Sequence, residues 1–134
     1  MRAAAFTGLG GPANVNVIDV AEPTLDHGQA LISVHGAALN RHDLIYLQGD
    51  FRLKEDHLPF VSGVDVAGEV VDVGAGVNSV SNGDRVLLSP METCGECTYC
   101  RDGPENLCKE YSLFHGGFAE RAAVDANRLV QVSE

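Results

Sequence analysis

All four cysteines of this chain fall within the run CGECTYCRDGPENLC, from Cys94 to Cys108. Their spacing, C-x2-C-x2-C-x7-C, constrains the fold more than any other feature. Each two-residue gap turns the backbone back on itself, so four thiols can converge on one tetrahedral ion. Gly95 and Gly103 relieve the turns. DGPENL reads as a one-turn helix, with Asp102 near its cap and Pro104 in its first turn, delivering Cys108 as the last ligand. Four thiolates without a histidine make a closed sulfur shell. Zinc suits it best, with iron as the main competitor. A saturated shell leaves no position for water or substrate, so the ion would be structural. Disulfides and a redox C-x-x-C are the competing readings.

The rest of the chain reads as β structure. Fifteen glycines and only 6% aromatics among 134 residues suggest a turn-rich domain built on Val, Ile, Leu and Ala. NVNVIDV places Val15 and Val17 on one face of a strand. ALISVHG sets Ile32 and Val34 against Leu31, Ser33 and His35. VSGVDVAGEVVDVGAGV carries too many glycines for a straight central strand and fits the bends or corners of a barrel. GDRVLL, GGFAERAAV and RLVQV add further strands, and Gly83-Asp84-Arg85 reads as a turn with a supporting ion pair. Between the strands, LNRHDLIYLQGD predicts a short helix. Asn40 is its N-cap, Asp43 a capping partner three residues on, Leu44, Ile45 and Leu47 its apolar side, and Gly49 its stop.

The formal charge of −10, from 9 basic and 19 acidic residues, disfavours nucleic-acid and anionic-membrane partners. No segment has the apolar length of a membrane span, and MRAAAFTGLGGPANVNV has no sustained apolar run of a secretory signal. A reducing cytoplasm is the expected location.

Taken in order, MRAAAF, EPTLDHGQALISVHGAALNRHDL, LPFVSGVDVAGEVVDVGAGV, NGDRVLL, the cysteine run and HGGFAERAAV resemble the N-terminal GroES-like domain of the zinc-containing medium-chain dehydrogenase/reductase (alcohol dehydrogenase) superfamily. The resemblance covers essentially all of residues 1–134. It implies a mainly β, partly open antiparallel barrel with short helices and an inserted zinc lobe at residues 90–110. It also implies a structural zinc on Cys94, Cys97, Cys100 and Cys108.

Relatives with a catalytic zinc take a Cys from the loop before the short helix, and a His followed by a Glu from a Gly-His-Glu motif. Here Asn40 stands at the first position, and Gly63, Val64 and Asp65 at the motif. Val64 cannot bind zinc and Asn40 is a poor ligand for it. The catalytic site is therefore expected to lack the metal, as in the quinone oxidoreductase-like branch, although that branch generally lacks the four-cysteine lobe. Hydride transfer would then rely on positioning and on donors to a developing oxyanion.

The resemblance puts His42 where a Ser or Thr often relays a proton, and Arg41 where some relatives contact a cofactor phosphate. Asn40 could donate to a substrate oxygen, and Asp65 lies beside it. Capping, solvation and turn formation are the structural alternatives for all four. TGLGGP lacks the spacing of a dinucleotide fingerprint, so NAD or NADP and the small-molecule substrate would need a second domain that is absent from these residues. By itself the fragment is expected to be inactive and, with unpaired strand edges, to self-associate. The alternatives are a stand-alone zinc-stabilised binding module and, more remotely, a co-chaperonin.

Overall fold

The computed structural model describes residues 1–50 and 53–132. In chain order its elements are β1 (Arg2–Phe6), β2 (Val15–Asp19), β3 (Gln29–Ala38), α1 (Arg41–Leu47), β4 (Phe60–Val61), β5 (Asp65–Val73), β6 (Arg85–Leu88), β7 (Met91–Glu92), α2 (Thr98–Asp102), β8 (Ser112–Leu113), β9 (Arg121–Asp125) and β10 (Leu129–Gln131). Among the described residues they form a five-stranded sheet, β10-β6-β5-β3-β9, a three-stranded sheet, β2-β1-β4, and the pair β7-β8. Every pairing is antiparallel. The architecture is the mainly β, open antiparallel one expected from the sequence.

The main core lies on one face of the five-stranded sheet. Ile32, Val70 and Val124 are its largest fully buried apolar side chains, and Val66, Val86, Leu88 and Phe114 pack with them. Strict alternation holds only in part of β3. The pairing with β5 shifts between Leu31 and Ile32, and again between Val34 and Gly36. Leu31 is nonetheless buried together with Ala30 and Ile32, while Ser33 is half-buried and His35 exposed. In β2 the alternation is present but its apolar face looks outward, with Val17 71% exposed. β2 is an outer strand bonded only to β1, and among the described residues that face is left exposed.

Gly68 explains why β5 needs glycine where no turn exists. A Cβ there would lie 2.1 Å from the Ser33 carbonyl oxygen and 2.8 Å from Ile32 Cγ2. The two central strands approach through the space a side chain would fill. Gly68→Ala should therefore destabilise the domain by about 1–3 kcal/mol, the usual cost of overpacking. The check is a lower urea midpoint at an unchanged m-value; an unshifted midpoint would show that the strands can part without cost.

A second apolar cluster seats α1. Phe6, Leu47 and Leu53 are buried together, with Tyr46, Leu58 and Phe60 packed on them. Leu47 is the anchor of the helix, whereas Leu44 is 46% exposed. Asn40 precedes the helix in an extended conformation, and its backbone N–H donates to Asp43 Oδ2 at 2.7 Å. Gly49 follows at φ +90°. In the later turn, Asp84 is held by the Ser81 N–H at 2.8 Å and by Gln131 Nε2 at 2.6 Å; no ion pair to Arg85 occurs among the described residues.

The cysteine lobe differs locally from the single helical turn expected. Asp102 ends α2 and does not begin a helix; Gly103 at φ +71° stops it, and a separate 3-10 turn, Glu105–Leu107, carries the chain to Cys108. Pro104 has no N–H with which to continue α2, so the turn expected over DGPENL is a separate 3-10 turn that follows Pro104, and α2 is an additional helix before it.

Candidate functional site

Two constellations of polar and thiol side chains stand out. In the first, α2 begins after Cys97 and contains Cys100, the turn before it supplies Cys94, and the 3-10 turn ends at Cys108. β7 and β8 close the lobe at its base. The four sulfurs lie within 4.8 Å of one another. Cys94 and Cys100 are 3.8 Å apart, Cys97 and Cys100 3.5 Å, and Cys94 and Cys108 3.6 Å. A tetrahedral ion with Zn–S bonds of about 2.3 Å puts its sulfurs about 3.8 Å apart, so the donor set fits zinc. The Cys97 N–H donates to Cys94 Sγ and the Glu110 N–H to Cys108 Sγ, each at 3.4 Å, as thiolate acceptors require.

Without a cation, Cys97 and Cys100 are pushed in opposite directions. A backbone hydrogen bond from Cys100 lowers the Cys97 pKa, but desolvation and the other three thiols outweigh it and hold it at about 11. The Thr93 hydroxyl leads several hydrogen bonds that bring Cys100 down to about 7. A divalent ion removes this conflict by favouring every thiolate at once.

The lobe is tied to the sheet by a small polar network. Arg128 Nη2 contacts Glu105 Oε1 and donates to Thr93 Oγ1, each at 2.6 Å, and Thr93 Oγ1 donates to Glu105 Oε1 at 2.7 Å. Arg128, then Thr93, hold the Glu105 carboxyl below its ordinary value.

The second constellation lies where α1 meets the start of β5. Asp43 is 1% exposed, and its carboxylate is fully engaged. Oδ1 accepts a short hydrogen bond from Ser62 Oγ and another from the Gly63 N–H at 3.1 Å, while Oδ2 takes the Asn40 N–H. Gly63, at φ +93°, is itself squeezed: a Cβ there would lie 2.8 Å from the Phe118 nitrogen. The segment 116–118 bonds to the same loop, from the Gly117 N–H to Gly63 O at 2.9 Å and from the Phe118 N–H to Ser62 O at 3.0 Å. Residues 62–63 thus fasten both the helix and the segment after β8.

Asn40 and Asp65 meet beside this junction. Asn40 Nδ2 donates to Asp65 Oδ2 at 2.8 Å and reaches the Ala38 carbonyl only weakly, at 3.4 Å. Val64, between Asp65 and the Asp43 clamp, is buried at 6% exposure. His42 points into a ring cluster. It lies 5.2 Å from His115 with the planes 17° apart, and 4.4 Å from Tyr46. Phe60 closes the group, 5.7 Å from Tyr46 and 5.1 Å from His115. Burial pushes the His115 imidazole below its ordinary pKa; the His42 charge acts in the same direction, against the Asp43 carboxylate. Arg41 is exposed, beside a cleft of about 540 Å³ on the outer side of α1 that Asn40 and Leu44 also line.

The four sequence candidates therefore gather around one helix end, with Asn40 and Asp65 in contact. Ser62 and His115 carry no sequence signal of this kind, because their importance comes from what folds against them. Asp43 was legible only as a cap; its buried carboxylate is a tertiary feature.

Comparison with known proteins agrees with the fold and its four-cysteine lobe. Residues 26–134 match the alcohol dehydrogenase GroES-like domain family. Acryloyl-coenzyme A reductase of Metallosphaera sedula is 40% identical over 121 residues, which are 87% of this chain and 36% of that protein. S-(hydroxymethyl)glutathione dehydrogenase of Escherichia coli O6:H1 is 43% identical over 107 residues, 80% of this chain and 28% of the relative. A cobalt- and zinc-bound thermostable alcohol dehydrogenase from Pyrobaculum aerophilum superimposes with a TM-score of 0.89 at 32% identity, over 100% of this chain and 42% of that one. The chain thus spans well under half the length of these proteins. With the matched residues, the open antiparallel sheets and the four-cysteine lobe all in agreement, the chain belongs to the alcohol dehydrogenase GroES-like domain family of the zinc-containing medium-chain dehydrogenase/reductase superfamily.

Proposed function

We propose that residues 1–134 form the substrate-side domain of a cytoplasmic, nicotinamide-dependent oxidoreductase that has a structural zinc and no catalytic one. The observation that carries this reading is the Asn40–Asp65 hydrogen bond beside the buried Val64. Asn40, its amide tied to Asp65, stands where a thiolate ligand would be needed, and the apolar Val64 stands where an imidazole would be needed to hold zinc. Cys94, Cys97, Cys100 and Cys108 would hold the structural ion. NAD or NADP, bound to a second domain, would supply or accept the hydride.

The residues of this domain then have separate tasks. Asp65 orients the Asn40 amide, whose second proton, only weakly engaged by Ala38, is available to a substrate oxygen that gains charge. His42 exchanges the proton that accompanies hydride transfer. Arg41, exposed at the helix start, offers a guanidinium to a cofactor phosphate. The relative named as an acryloyl-coenzyme A reductase favours an activated double bond as substrate, with a carbonyl or quinone next. The relative named as a dehydrogenase of S-(hydroxymethyl)glutathione supports an alcohol as the second reading.

The deciding experiment combines metal analysis with turnover in the full-length protein. One zinc per chain is expected, with activity unaffected by a chelator that removes only accessible zinc. Asn40→Ala should lower kcat/KM by about 100-fold, the usual cost of losing one oxyanion donor. Two zinc ions per chain, with activity following the second, would overturn the proposal.

A further inference from the structure

We infer that His115 is a positioning residue for His42, holding its ring in place only while His115 itself is uncharged. The inference rests on the reading of His42 as the proton carrier. The two imidazoles come from elements far apart in sequence, yet they stack nearly parallel, 5.2 Å and 17° apart. Tyr46, one helical turn after His42, closes one side at 4.9 Å from His115, and Phe60 closes another.

His115 is held through its backbone. Phe114 before it is buried in the main core, and the Gly116, Gly117 and Phe118 N–H groups after it bond to Ser62 and Gly63. Its Nδ1 is buried without a hydrogen-bond partner among the described residues. A proton on that atom would be a buried donor with nothing to receive it, so the ring belongs there as a neutral aromatic surface.

The surrounding charges point the same way. From α1 the ring faces His42, Asp43 and Tyr46, and from β4 only the uncharged Phe60. The cavity on its other side is lined by Met1 and Arg121. The Met1 ammonium donates to Val20 O, and Arg121 pairs with Glu22 at 2.8 Å. Asp43 is the anion nearest to hand, and three donors already occupy it. A proton gained by His115 in acid thus meets a half-buried ring, its Nδ1 buried and without a partner among the described residues, next to a second imidazole. The stack opens, and His42 loses the surface that fixes its orientation.

The test is NMR of the zinc-loaded chain with labelled imidazoles, followed across acid to neutral pH. In the unmodified protein, the His42 ring signals should move in step with the titration of His115, with loss of the ring-to-ring contacts between them. His115→Phe should keep an aromatic contact to His42 and abolish that pH step. His115→Ala should lose the ordered His42 ring signals at every pH. The inference fails if His42 signals in His115→Ala match those of the unmodified protein, or if the His42–His115 contacts survive the His115 titration. Turnover plays no part in this readout. Full activity of a His42→Ala enzyme would remove the proton-carrier role and leave the ring coupling standing.

Discussion

Replacing Cys108 with Ser will empty the lobe of zinc and unfold it, while the five-stranded sheet survives. Cys108 is the most buried of the four ligands, at 6% exposure. The lobe has little else to hold it. Neither α2 nor the 3-10 turn contains a buried residue, and Tyr99, Leu107 and Tyr111 are exposed. β7 and β8 have two residues each, too few for an independent hairpin. Structural zinc in small sites contributes on the order of 10 kcal/mol of binding free energy, and no packing within the lobe approaches that. Zinc content should fall from one per chain to near zero. Amide hydrogen exchange should accelerate across residues 94–108 by orders of magnitude and change little in β3 and β5. A strong chelator should reproduce the result in the unmodified protein, and a thiol reductant alone should not. Lobe amides that stay protected without metal would remove the structural-ion reading; collapse under reductant alone would restore disulfides.

The second large effect is expected at Asp43. Asp43→Asn keeps the size of the side chain but turns one of its two acceptor oxygens into a donor facing N–H or O–H groups. Hydrogen bonds to a charged group contribute about 1.5–3 kcal/mol each, and a buried donor left opposing another adds to the loss. A destabilisation of about 2–4 kcal/mol follows, read as a lower urea midpoint. Ser62→Ala alone should cost less, because the Gly63 and Asn40 N–H donors remain. The double variant should be less destabilised than the sum of the two, since both remove the same contact. Strict additivity, or an Asn variant as stable as the original, would show that the clamp does not hold α1. Because Asn40 belongs to the same clamp, its contact with Asp65 should loosen together with the helix.

The lobe and the strands were legible for different reasons. Four cysteines in fifteen residues leave few ways to satisfy four thiols, so the metal set could be read directly from spacing. The helix at LNRHDLIYLQGD was equally readable, because a cap, its acidic partner and a glycine stop are local signals. Strand facing was less so. Val15 and Val17 alternate like buried residues, yet the fold leaves both exposed. Leu31 alternates like a surface residue and is buried all the same, in a strand flanked by β5 and β9. The separation of α2 from the turn within DGPENL lies in the backbone at Gly103 and Pro104.

The sequence by itself determined the β-rich class, the short helix and the sulfur ligand set, which rest on composition or on residues a few positions apart, and the family, which rests on a resemblance of motifs met in order along nearly the whole chain. Tertiary structure alone decided that Asp43 is a buried clamp and not merely a cap, that Asn40 reaches Asp65, and that His115 stacks on His42. The partners in these contacts lie 19, 25 and 73 residues apart along the chain (43 to 62, 40 to 65 and 42 to 115). No local propensity encodes such pairs. They exist because the burial of α1 against the sheet brings the partners together, and a buried carboxylate or imidazole must then find its neighbours there.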